Sequence, residues 1–322
     1  MMRNPLTGMA STLLLATMSG CFPKYAELGP IAPDELWAPL PVQHIEVNGI
    51  DVAYVDSDPK STEPPLVLIH GLSSYVGFWE HQIPFFAEDR RVLALDLPGY
   101  GASARPDAPY TPAWYADLVA DWMQAIGIAQ ADVMGHSMGG QIALTLALEH
   151  PKHVDRLVLA APAGFETFRP GAAGVIKDYW TEDRALHTTE QESRMTFTTV
   201  VFNKTDDGVE RLLKERVRLG QHPAFGGTSV AVSRSIRGMI DHPVFERLGE
   251  IKHQTLVIYG TEDRMIPNPI FTSGRTRAIA ERGVSAMTNA RLIMLAGAGH
   301  TVYHDAPEPF NKAVHSFLGD DR

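Results

Sequence analysis

The 322-residue chain holds one cysteine, Cys21. Without a second thiol no intrachain disulfide can form, so stability must come from a buried core. Basic blocks are missing as well. The formal net charge is −10 and the Lys and Arg residues are dispersed, which speaks against a nucleic-acid partner, since phosphate binding needs a positive surface. No internal repeat and no low-complexity tract is present. The apolar run at residues 9–18 falls short of the about 20 residues that span a bilayer. The 13 histidines are scattered, without the paired spacing of a metal site. No glycine-rich dinucleotide fingerprint occurs. Neither a metal nor a cofactor is therefore expected.

What is present begins with "MMRNPLTGMASTLLLATMSG", residues 1–20. Arg3 gives a positive start, a short apolar run follows, and Ser19 and Gly20 precede Cys21. This layout is that of a processing segment. It resembles a bacterial lipoprotein signal, with Met18 where leucine is commoner. The resemblance implies cleavage before Cys21 and lipidation of that thiol. The expected location is then the bacterial cell envelope, on the periplasmic or outer-membrane side, with the membrane as partner. A plain secretory signal is the alternative.

Residues 21–42 carry Pro23, Pro30, Pro33, Pro39 and Pro41. This density predicts an extended tether, which at roughly 3.1 Å per residue would reach ~60 Å. Trp37 and Leu40 leave room for packing of its second half. From residue 43 the pattern becomes regular. "HIEVNGIDVAYVD" reads as a hairpin turning at Asn48-Gly49. Short, almost continuously apolar runs then recur at 66–69, 92–95, 133–134, 157–160, 256–259 and 292–295. That is the signature of strands covered on both faces. Helical patterns lie between them, one opened by Thr111-Pro112 as N-cap and first helical residue. Strand and helix in alternation predict an α/β fold with a mostly parallel sheet. Residues 43–162 and 251–322 form that core. Residues 163–250 break the rhythm and read as a helical cap, in which Glu210 and Lys214 are spaced as an i,i+4 pair.

The stretch "DVMGHSMGGQIALTLALEH" places Ser137 between Gly135 and Gly139 at a strand-to-helix corner. A corner this sharp strains its central residue and demands small neighbours two positions away on each side. It lifts the Ser137 hydroxyl above the sheet edge, at a helix N-terminus that favours negative charge. A serine hydroxyl attacks only when a base takes its proton. His300, after the 292–295 strand and "AGAG", is the base favoured by position. His304 competes but reads as solvent-facing beside Asp305, and His136 should be turned away by the corner. Asp263 follows the 256–259 strand and would orient the base, while its neighbour Glu262 points elsewhere. The order Ser137, Asp263, His300 is one of the known serine-triad orders. The N–H groups of Leu72, after His70-Gly71, and of Met138 are the candidate oxyanion hole.

Taken together, "HGLSS", "DLPGYGAS", "GHSMGG", "YGTEDRMIP" and "GAGHTVYHDAPEPF" resemble the α/β-hydrolase superfamily, in its order and over about residues 43–319. The nearest flavour is the capped bacterial serine esterases and lipases. The resemblance implies an eight-stranded, mostly parallel sheet with helices on both faces and a helical cap. It implies nucleophile Ser137, acid Asp263, base His300 and oxyanion amides at Leu72 and Met138. Ser137 departs from relatives that attack with an aspartate, and Ser73 stands where epoxide hydrolases carry proline. Asp96 in "DLPGYGAS" reads as a structural turn residue.

The expected activity is hydrolysis of small-molecule carboxylic esters through an acyl-enzyme on Ser137, without a cofactor. Carbon–carbon bond hydrolysis by the same triad is the alternative, with Arg169 or Arg184 reading a substrate carboxylate. A non-catalytic lipoprotein that binds an apolar ligand is a third reading. Phe165, Phe168 and Trp180 either line the pocket or pack inside the cap.

Overall fold

The computed structural model describes residues 23–57, 64–169, 171–267, 272 and 274–319. Eight strands form one sheet: β1 Gln43–Val47, β2 Ile50–Asp56, β3 Leu66–Ile69, β4 Val92–Leu95, β5 Ala131–His136, β6 Val154–Ala160, β7 Thr255–Gly260 and β8 Ala290–Leu295. Their order is β1-β2-β4-β3-β5-β6-β7-β8. β2 runs antiparallel to both β1 and β4, and β3 through β8 are parallel. The β1–β2 hairpin turns at Asn48 and Gly49, both with positive φ (53° and 78°), as a two-residue turn matched to strand twist requires.

The helices are α1 Gln82–Phe86, α2 Pro112–Ala125, α3 Met138–Glu149, α4 Ala172–Tyr179, α5 Glu182–Leu186, α6 Glu190–Thr196, α7 Asp207–Leu219, α8 Phe225–Asp241, α9 Thr276–Ser285, α10 Val302–Asp305 and α11 Pro307–Gly319. Along β3, Val67 and Ile69 join the apolar cluster shared with α2 and α3, while Leu66 and Leu68 join the cluster shared with α1 and α11. Successive side chains point to opposite faces of a strand. Because helices cover both faces, every position must be apolar, and the run reads as continuous. Thr111 caps α2 by accepting from the Trp114 N–H at 3.2 Å, and Tyr115, Leu118, Val119, Trp122 and Met123 form its buried stripe. Helices α4 to α8 lie between β6 and β7.

Residues 23–42 do not extend away as a tether. They lie along the helices between β6 and β7. The Tyr25 hydroxyl donates to Glu210 at 2.6 Å, its N–H donates to Glu190 at 2.9 Å, and Arg194 donates to the Pro23 carbonyl at 3.1 Å. Arg211 stacks 4.0 Å over Trp37. Glu215 accepts from the Trp37 N–H at 3.1 Å and from the Tyr75 hydroxyl, joining this strap to α7 and to the core. Proline fixes the local conformation but does not keep the chain in solvent. Tyr25, Ile31 and Leu36 are apolar enough to be buried. Glu210 is drawn to Tyr25 and Arg194 across the strap, in place of the expected pairing with Lys214 along α7.

Candidate active site

Ser137 sits between β5 and α3 with φ 53° and ψ −116°, a strained conformation for a residue with a side chain. The corner explains its glycines. A Cβ at Gly135 would lie 2.2 Å from the Gly139 carbonyl oxygen, and one at Gly139 would lie 2.1 Å from the Ile69 oxygen. The turn is pinned by the Ser137 N–H to the Ala160 carbonyl (3.0 Å) and by the Gly140 and Ala163 N–H groups to the Ser137 carbonyl (2.9 and 3.0 Å).

The three residues separated along the chain meet here. His300 Nε2 lies 2.9 Å from the Ser137 hydroxyl, and His300 Nδ1 lies 3.0 Å from Asp263 Oδ2. Asp263 Oδ1 accepts from the N–H groups of Met265 (2.8 Å) and Ile266 (2.9 Å). One oxygen is thus held by the backbone while the other faces the imidazole. This fixes the proton of His300 on Nδ1 and leaves Nε2 as an acceptor for the serine proton. Glu262 is exposed, as its neighbouring position implies.

Two further histidines crowd the site but hold other posts. His136 is buried, and its desolvation pushes the ring well below the usual histidine range. Its Nε2 donates to the His300 carbonyl at 3.2 Å. His70 is pushed down by burial to about 4. Its Nδ1 donates to the Gly71 carbonyl (2.7 Å), and its Nε2 accepts from the Leu97 N–H (3.0 Å). Both rings are neutral structural pins. Gly71 is needed because a Cβ there would lie 2.7 Å from His136 Nδ1.

Ile69 and Gly135 are register partners on adjacent parallel strands, and Leu72 and Met138 each lie three positions beyond that pair. The two amides thus leave neighbouring strand ends, and Met138 opens α3. Among the described residues, neither N–H has a protein acceptor. Both are free to donate to a developing oxyanion.

Sequence reasoning misjudged the loop behind His300. His304 and Asp305 do not face solvent: they are 3% and 1% exposed. Asp305 accepts from the N–H groups of Gly299 (2.7 Å), Asn203 (3.0 Å) and Lys204 (2.9 Å). It thereby fastens the His300 loop to the segment before α7. No local pattern announces this role, because two of its partners, Asn203 and Lys204, lie about a hundred residues away. Asp96 is the turn residue that was expected. Its oxygens accept from the Val76 and Ala102 N–H groups, both at 2.7 Å, and burial lifts its carboxyl to about 6. Glu166 was not anticipated. Burial lifts it to about 7, with His300 and Asp263 acting on it electrostatically.

A cleft beside the oxyanion turn is lined by Ser73, Ser74, Tyr75, Phe78, Arg216 and Phe225, among others. Arg216 stacks 4.4 Å over Phe225, and burial lowers its guanidinium to about 10. Phe165, Phe168 and Trp180 do not line this cleft. Phe165 is fully buried and packs on Gly283 and near Tyr259. Arg184 is held by Glu192 at 2.7 Å.

A strained serine, a histidine on its hydroxyl, a carboxylate behind the histidine and a mostly parallel sheet define a class. The chain belongs to the α/β hydrolase family, whose model, described as alpha/beta hydrolase fold, matches residues 64–307. Among individual proteins, it is 34% identical over 211 residues to a 2-hydroxymuconate semialdehyde hydrolase of Pseudomonas sp. (strain CF600), a match covering 63% of this chain and 71% of that protein. It is 27% identical over 291 residues to a probable 1-acylglycerol-3-phosphate O-acyltransferase of Oryza sativa subsp. japonica, covering 81% of this chain and 68% of the relative. The fold is shared with a probable hydrolytic enzyme of Pseudomonas aeruginosa PAO1, with a TM-score of 0.81 and 24% identity over 89% of this chain and 98% of the other.

Proposed function

We propose that the protein is a serine hydrolase acting on carboxylic esters. The observation that carries this reading is the unbroken relay from Ser137 through His300 to Asp263, at 2.9 and 3.0 Å. His300 Nε2 takes the hydroxyl proton as Ser137 Oγ attacks the ester carbonyl. The carbonyl oxygen becomes negative and receives the Leu72 and Met138 N–H groups. His300 then gives its proton to the departing alcohol, leaving an acyl group on Ser137. Water, activated by the same ring, releases the acid and restores the serine.

A second reading, carbon–carbon bond hydrolysis, has two supports. One is the similarity to the 2-hydroxymuconate semialdehyde hydrolase. The other is Arg216 in the cleft, a cation suited to a substrate carboxylate. Arg184, engaged by Glu192, is the poorer candidate for that task. Assays with p-nitrophenyl esters of graded chain length, beside a dienoic ring-fission substrate, separate the two. Fast ester turnover with an inert dienoate supports the first reading, and the reverse overturns it. Tight apolar-ligand binding with no turnover of either would favour a binding lipoprotein.

The proposal extends to location. Cys21 lies outside the described residues, and its lipidation rests on the signal-like sequence before it. No helix among the described residues is long and apolar enough to cross a membrane. Pro23 lies against Arg194 of α6. A lipid two residues earlier would bring the helices between β6 and β7 toward the bilayer of the cell envelope. Lipid labelling of the wild-type chain and of Cys21→Ser tests this. Equal labelling of both would refute it.

A further inference from the structure

We infer that Glu80, His81 and His304 form a binding site for one divalent transition-metal ion of the Zn²⁺ class, at the seam between the core and α7. The inference is independent of the hydrolase reading. One donor atom from each of the three residues lies within 4.8 Å of the others. Glu80 Oε1 is 3.3 Å from His304 Nδ1 and 3.9 Å from His81 Nε2. Two ligands at zinc bond lengths of about 2.0–2.1 Å in a tetrahedron lie roughly 3.3–3.5 Å apart. The half-exposed His81 ring, whose Nε2 stands 3.9 Å from Glu80 Oε1 and whose donor atom lies within 4.8 Å of that of His304, would have to move inward to complete the set.

Two of these atoms are buried and, among the described residues, make no hydrogen bond, facing each other at 3.3 Å: Glu80 Oε1 and His304 Nδ1. The His304 side chain is 1% exposed, so its Nδ1 has no ready access to bulk water. The far atom of each group is already occupied. His304 Nε2 lies 3.2 Å from both oxygens of Asp206. If Nε2 carries the proton, Nδ1 presents a lone pair. Glu80 Oε2 accepts from Arg211 at 2.5 Å. A carboxylate behind the ligating imidazole and a donor behind the ligating carboxylate are the outer partners that orient metal ligands. Asn311 donates to the His81 carbonyl at 3.0 Å and so fixes the third ligand's backbone. At Gly208 a Cβ would stand 2.3 Å from Glu80 Oε1, so glycine at that position keeps a side chain off the oxygen. Two imidazoles and one carboxylate suit Zn²⁺, Co²⁺ or Ni²⁺. Ca²⁺ and Mg²⁺ prefer all-oxygen sets. The carboxylates of Glu80 and Asp206 together outweigh the charge of Arg211. The His81 side chain, 38% exposed, leaves a way in and room for a water ligand. A bound ion would brace α7, through Asp206 and Arg211, against the helix that follows His300.

Co²⁺ titration of the full chain, stripped with EDTA, tests the site by visible absorption. The expected result is one saturable Co²⁺ per chain, displaced by Zn²⁺, and an unfolding midpoint that rises with Zn²⁺ concentration. His81→Ala, at a partly exposed position, and Glu80→Gln should each weaken binding at least ~10-fold. Whichever variant keeps the metal-free unfolding midpoint of wild type is the one read. No saturable spectrum in wild type would overturn the proposal, as would unchanged binding in that variant. The first outcome would leave His304 as a structural ring held between Glu80 and Asp206. The second would point to surface histidines such as His150 and His153, whose rings are 6.3 Å apart.

Discussion

The ring of His136 donates through Nε2 to the backbone carbonyl of His300, 3.2 Å away. The residue beside the serine thus positions the residue that acts on the serine. His136→Phe keeps an aromatic ring, though a larger one, and removes the donor, leaving a buried carbonyl unpaired, at a cost of about 1–3 kcal/mol. The expected result is a lower unfolding midpoint and a kcat reduced roughly 10-fold with KM little changed. A proportional rise in KM with unchanged kcat would show that His136 does not position His300.

Ser137 combines reactivity with strain. Ser137→Ala should lower turnover by ~10⁴–10⁶. Ser137→Gly should be equally inactive, yet it relieves a conformation costing about 1–3 kcal/mol. Its unfolding midpoint should equal or exceed that of Ser137→Ala. Calorimetry of the two variants side by side checks this, and near-normal turnover in either would defeat the proposed mechanism.

Asp305 collects backbone N–H groups from Gly299, Asn203 and Lys204. In Asp305→Asn, one oxygen becomes an NH₂ that faces donors. The expected loss is about 1–3 kcal/mol of stability, with faster amide hydrogen exchange confined to residues 201–204 and 297–301. Exchange unchanged in both segments would contradict the anchoring role.

Glu166 gives a pH signature. Its folded-state carboxyl is raised from 4.5 to about 7 by burial. A raised carboxyl binds its proton more tightly in the native state. Its contribution to stability is therefore fully present below the unfolded pKa and is lost as pH rises through the folded one. From about pH 4.5 to pH 7, the stability of wild type should fall relative to that of Glu166→Gln. Parallel unfolding curves for the two proteins across that window would rule the effect out.

Much of the architecture was legible in the chain. Strands 66–69 and 92–95 coincide with β3 and β4, because burial on both faces leaves an unbroken apolar run. Ser137 was legible because a strand-to-helix corner has steric demands that only Gly135 and Gly139 meet. Asp263 and His300 were legible because each follows an apolar strand at a turn. The strap was misread, since proline content reports local stiffness and says nothing of what Tyr25, Ile31 and Leu36 will find to pack on.

Backbone sterics and apolar periodicity are local properties, and through them the order of amino acids alone determined the sheet, the serine corner and the candidate relay. Contacts across distant segments are not encoded locally. Only the folded chain decided that Asp305 anchors the His300 loop, that His136 and His70 stay neutral, and that Glu80 and His81 meet His304 across 223 positions (304 less 81). The reason is physical: a side chain's charge state and partners depend on the dielectric and the donors around it, which exist only once the layers have packed.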